Sequence, residues 1–76
     1  MVNRDSAKPP WQQLADLLRQ QITSGELGPG DRLPSIMKLS EEHKLAPVTV
    51  RKAIVQLQRE GLVESQTGWG TFVRGR

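Results

Sequence analysis

Cysteine is absent from this 76-residue sequence. Its absence removes thiol catalysis, disulfide staples and every zinc site built on thiolates. Tyrosine is absent too, and the aromatic side chains are Trp11, Trp69 and Phe72. The only histidine, His43, has Glu41 and Glu42 for acidic neighbours and no third ligand, so it makes neither a metal cluster nor a catalytic pair. No apolar run has the length of a membrane span or a signal segment, and residues 1–6 are mostly polar. The expectation is a cytoplasmic protein with no membrane association. The length fits one domain, close to the lower limit for a self-sufficient core. Such a core leaves no room for an enclosed substrate pocket, so no enzyme and no cofactor is expected.

What the sequence does have is positive charge in one half. Net charge is +3. Residues 1–30 balance three cations against three acids, whereas residues 31–76 carry eight cations against five acids. The whole excess falls in the second half. That distribution suits a polyanionic partner, although a charge of this size also serves ordinary solubility.

Residues 1–8 are unpatterned and are expected to form a flexible tail, with one domain over residues 9–76. Pro9-Pro10 precedes a first helix whose stripe is Trp11, Leu14, Leu18 and Ile22, with Leu17 beside it. Ser24-Gly25 ends that helix. Gly28-Pro29-Gly30-Asp31 has the order of a type II turn. Ser35 is the expected N-cap of a second helix, in which Ile36, Leu39 and His43 share a face. Lys44-Leu45-Ala46 allows only a tight turn, and Pro47 suits the first position of a third helix running to about Glu60. At about 100° per residue, Val50, Ala53, Ile54 and Leu57 fall on one side of that helix. Val48, Lys52 and Arg59 fall opposite, with Arg51 on the flank. Leu62–Gln66 and Thr71–Arg74 are expected to be paired strands around a tip holding Gly68, Trp69 and Gly70. Trp11 and Phe72 are expected in the core, and Trp69 either folds back onto the sheet, the favoured reading, or wedges against the sugar and groove wall of a bound duplex. The fold class is therefore mainly α with a small β-hairpin, a winged helix-turn-helix of three helices and a two-stranded wing.

Three runs together resemble the DNA-binding domain of the GntR family. They are Gly25-x-Leu27-x-Pro29-Gly30-Asp31-Arg32-Leu33-Pro34-Ser35, Thr49-Val50-Arg51-Lys52-Ala53-x-x-x-Leu57-x-x-Glu60-Gly61-Leu62-Val63 and Gly68-x-Gly70-Thr71-Phe72-Val73. Pro10-Trp11-x-Gln13-Leu14 is also similar to the start of that family's first helix. The resemblance covers roughly residues 9–74 and implies a bacterial transcriptional regulator, usually a repressor. Family members bind palindromic operators as dimers, with the third helix in the major groove and the wing at the minor groove or its phosphates. Most also carry a C-terminal effector-binding and dimerising domain. The sequence ends at Arg76, past the wing, as expected of a stand-alone regulator or of an excised domain, with no small-molecule effector evident.

The departures from the family pattern are specific. Met37 and Pro47 stand where relatives have DNA-contacting arginines. Lys38 replaces the Glu that would complete a capping box with Ser35. Lys44 stands where Gly would relieve a left-handed backbone, at a cost of about 1 kcal/mol. Only the first turns of a recognition helix reach base edges. The candidate contacts to double-stranded operator DNA are thus Ser35, Lys38, Val48, Thr49, Arg51, Lys52, Thr67 and Gly68. Arg51 can fork onto guanine O6 and N7, Val48 can meet a thymine methyl, and Lys52 and Lys38 suit phosphates. A homodimer is expected to form mainly on the DNA. The competing expectation is a protein-interaction module whose contact patch comprises Ile36, Met37, Val48 and Val55.

Overall fold

The computed structural model describes residues 8–66 and 68–74. The expectations for Thr67 and for residues 1–7 lie outside the described residues. Three helices are followed by a hairpin: α1 (Pro10–Thr23), α2 (Ile36–His43), α3 (Pro47–Arg59), β1 (Val63–Gln66) and β2 (Gly70–Val73). The helix-turn-helix with a wing is the observed architecture.

Each helix starts for a local chemical reason. Pro10 and Pro47 occupy first-turn positions, where a missing N–H leaves no helical bond unmade. The Pro9 carbonyl accepts from the Gln12 and Gln13 amides at 3.0 and 3.2 Å. The Ser35 hydroxyl oxygen caps α2 by accepting from the Lys38 amide at 3.1 Å. Lys44 closes α2 in the left-handed region at φ 54°, where its Cβ crowds the following carbonyl. The turn into α3 is tied on both sides. Leu45 donates its amide to the Ser40 carbonyl, and the Ser40 hydroxyl donates back to the Leu45 carbonyl at 2.5 Å. Leu45 itself enters the core, so this short loop is locked between the two helices.

The core lies where α1, α3 and the hairpin base meet. Leu14, Leu18, Val50, Leu57 and Val63 are its largest fully buried side chains. Each such residue contributes about 1.5–3 kcal/mol on removal from water. The expected inner side of α3, comprising Val50, Ala53, Ile54 and Leu57, is the buried one.

The hairpin is antiparallel, with Val63 opposite Val73 and Gln66 opposite Gly70. Its far edge is also paired, which sequence patterning did not anticipate. Leu33 donates to the Thr71 carbonyl and Val73 to the Asp31 carbonyl, both at 2.8 Å, around an Arg32–Phe72 bridge. The loop after α1 thus acts as a third pairing partner and fixes the wing to the body.

Two core expectations are corrected. Phe72 is half-buried, because strand alternation puts it on the face opposite Val73, across from Glu64. Trp11 is half-buried as well. It meets the outer flank of α3 rather than the core side.

A chain of ion pairs ties α1 to the end of α3. Arg19 donates from Nε and Nη2 to the two Glu60 carboxylate oxygens at 2.7 and 2.5 Å, and from Nη1 to Asp16 at 2.6 Å. Lys8 reaches the other Asp16 oxygen at 2.9 Å. Lys8 and Arg19 hold the Asp16 carboxyl below its usual pKa, and Arg19 and Gln56 do the same for Glu60. A carboxylate whose pKa is lower folded than unfolded stabilises the fold fully above the unfolded value, near about 4. That stabilisation is lost as pH falls through the folded values. The melting temperature should therefore drop on acidification below about pH 4–5. The drop should be shallower in Arg19→Gln, as thermal melts across pH will show. The groups are about a third exposed, so added salt should flatten the effect.

Candidate nucleic-acid interface

The outer face of α3 is open to solvent at the positions expected to contact DNA. Val48, Arg51 and Lys52 are exposed, and Val48 retains 73% of its accessible surface. Thr49 is half-buried on the same first turn. Arg51, Lys38, Arg32, Arg59 and Arg74 form no ion pair with any other described residue. The salt bridges lie instead along α1 and the end of α3. Cations left without carboxylate partners are available to phosphates or base edges.

Two shallow grooves flank this face. One runs between α1 and α3 and is lined by Trp11, Val48, Arg51, Lys52, Val55, Gln56 and Arg59. In it the Lys52 ammonium sits over the Trp11 ring, 4.9 Å from the centroid. An exposed contact of this kind contributes about 0.5–1 kcal/mol and orients a lysine that would otherwise sample many rotamers. The other groove separates the start of α2 from the wing tip. Its lining includes Arg32, Ser35, Ile36, Met37, Gly68 and Trp69.

Among the candidate contacts, Val48, Arg51 and Lys52 therefore share the first groove, and Ser35 and Gly68 share the second. Lys38 is exposed on α2, and Thr49 lines neither groove. Ile36 and Met37 line one groove while Val48 and Val55 line the other, so the apolar patch expected of a protein-docking module is divided. His43 ends α2, half-buried, and no group of metal-binding side chains forms among the described residues.

Sequence inspection gave no role to Arg32 or to the Trp11–Lys52 pair. Arg32 packs its guanidinium against the wing at Gly70, where a Cβ would stand 2.7 Å from Arg32 Nε. Gly70 is also held at φ 115°. The positive φ favours glycine there, and any Cβ would push the Arg32 side chain off the wing. The partners are far apart along the chain, so no local spacing reveals them. The expectation that Trp69 folds back onto the sheet is also corrected: the residue is 71% exposed at the wing tip. The tip turn is closed by the Trp69 amide on the Gln66 carbonyl, which leaves the indole beyond the last strand pair.

A helix-turn-helix with an exposed cationic recognition face and a braced hairpin defines the class: a winged helix-turn-helix domain of the nucleic-acid-binding type. Residues 10–73 match the family described as "Bacterial regulatory proteins, gntR family". The chain belongs to that family of transcription regulators. It is 46% identical over 67 residues to the mannosyl-D-glycerate transport/metabolism system repressor MngR of Escherichia coli, covering 88% of this chain and 28% of MngR. YtrA of Sulfolobus acidocaldarius, a GntR-family transcription factor, matches with TM-score 0.94 and 34% identity, over 100% of this chain and 80% of that one. The AraR DNA-binding domain, solved in complex with operator ORR3, matches with TM-score 0.83 and 27% identity over 96% of this chain and 94% of that one. The chain spans between about a quarter and just over half of the curated relatives it matches, 24% at the low end and 56% at the high end.

Proposed function

We propose that this domain binds double-stranded operator DNA in a sequence-specific way and represses transcription by occluding a promoter, in the cytoplasm. The observation that carries this most is the outward face of α3. Its first two turns present Val48, Thr49, Arg51 and Lys52, and Arg51 has no carboxylate partner among the described residues. The similarity to the AraR DNA-binding domain, solved in complex with operator ORR3, supports operator binding; on this reading α3 enters the major groove and the wing lies at the minor groove. Ser35 and Lys38, at the capped start of α2, are then placed for phosphate contacts. Gly68 lets the wing backbone approach the duplex. Thr67 belongs to the same proposed contact set.

One module of this size covers a small footprint, so useful specificity calls for two copies on a palindrome. We place the half-sites about one helical turn apart or closer. Selection of bound duplexes from a random pool should enrich such a palindrome. Affinity for it should fall steeply with salt, as counterions are released from contacted phosphates. If no motif is enriched and random duplex is not bound at micromolar protein in low salt, operator binding is wrong and the face serves another protein.

A further inference from the structure

The hairpin's relation to DNA has to be unusual, because residues 62–73 contain no lysine or arginine and one acid, Glu64. The tip therefore has no cation of its own for phosphates, since Arg74 stands at the foot of the hairpin, just past β2. It offers instead a tryptophan, 71% exposed, in a turn where Asn, Ser or Gly would serve the chain reversal with no apolar surface in water. The tip is also braced. The Gln66–Gly70 pair lies directly beneath it, and Arg32 closes over Gly70 while bridged to Phe72. Across the groove, Met37 is 62% exposed and extends the apolar surface towards α2.

From the operator-binding role proposed above, we infer that Trp69 is the wing's reading element. Its indole enters the minor groove as an apolar wedge at a deformable pyrimidine–purine step. Inserted apolar side chains unstack a step, and TA or CA steps yield most easily. The wing then selects sequence through the cost of deforming it, with no hydrogen bond to a base edge. Arg32, whose guanidinium packs on Gly70, braces the turn that carries the indole from outside the hairpin.

The test uses the whole chain and the palindrome recovered by selection. Trp69→Ala should weaken operator binding by roughly 5- to 100-fold, the scale of one base–aromatic contact. The slope of log affinity against log salt should stay unchanged, whereas loss of a phosphate-binding cation lowers it by about 1. Trp69→Phe should retain most of the affinity, which separates a wedge from a folding defect. A stiff A-tract at the wing-facing step should weaken the native chain and leave Trp69→Ala unaffected. Fluorescence of 2-aminopurine at that step should rise on binding the native chain and not the variant. Equal operator affinity of the native chain and Trp69→Ala, an altered salt slope, or silent 2-aminopurine would each overturn the wedge while operator binding stands. Failure of the native chain to bind any duplex would overturn both.

Discussion

Replacing Arg51 with alanine should lower affinity for the selected operator by roughly 10- to 100-fold, the scale of one bidentate base contact. Binding to scrambled duplex should change far less. The reason lies in which cations are left on the reading surface. The first two turns of α3 hold Arg51 and Lys52 as their only cations. Lys52 is drawn aside over Trp11 at 4.9 Å. A lysine is also a point charge without the planar fork that reads guanine. Arg51 is exposed and has no ion pair among the described residues, so no described carboxylate competes with the DNA for it. Arg51→Lys should keep much of the salt-dependent affinity and lose the sequence preference. Fluorescence anisotropy against operator and scrambled duplex, each over a salt series, measures both quantities. Undiminished operator binding by Arg51→Ala would show that α3 does not enter the groove as proposed.

Leu57→Ala should damage the fold severely. Leu57 has no exposed surface and sits on the inner side of α3. Truncating such a side chain costs about 2–5 kcal/mol, because the lost transfer energy is joined by the cavity left behind. A domain of this length has a total stability of roughly 4–11 kcal/mol. The loss should therefore lower the melting temperature by roughly 10–30 °C. DNA binding should fail at physiological temperature although no contact residue is altered. Val55→Ala, on the half-buried outer flank of the same helix, should cost less than about 1 kcal/mol. Circular dichroism melts of the two variants make the comparison. Equal costs would contradict the way α3 is seated.

The two expectations rest on different kinds of knowledge. The left-handed backbone at Lys44 follows only from the family resemblance, whereas the inner side of α3, the Ser35 cap, the proline starts and the closing of the Gly28–Asp31 turn are all readable from the chain. Each depends on periodicity, or on the conformational preference of one residue within a few positions of its partners. The strand ends differed by one residue, as fraying termini do. Large aromatic surface alone does not place Trp11 and Phe72 in the core. One rotation along α1 and one alternation along β2 took them off the core.

By itself, the amino-acid order determined three helices, two begun at prolines and one capped by Ser35, a hairpin, the side of α3 that is buried and the charge of the half that holds it. Those properties follow from local stereochemistry and from the partition of side chains between water and an apolar interior. Only the tertiary structure decided that Lys52 lies over Trp11, that Arg32 packs on Gly70, that the loop before α2 pairs with the wing, and that Trp69 projects into solvent. Each joins or separates residues on different elements. Their distances are set by how helices and hairpin pack against one another, which no spacing along the chain encodes.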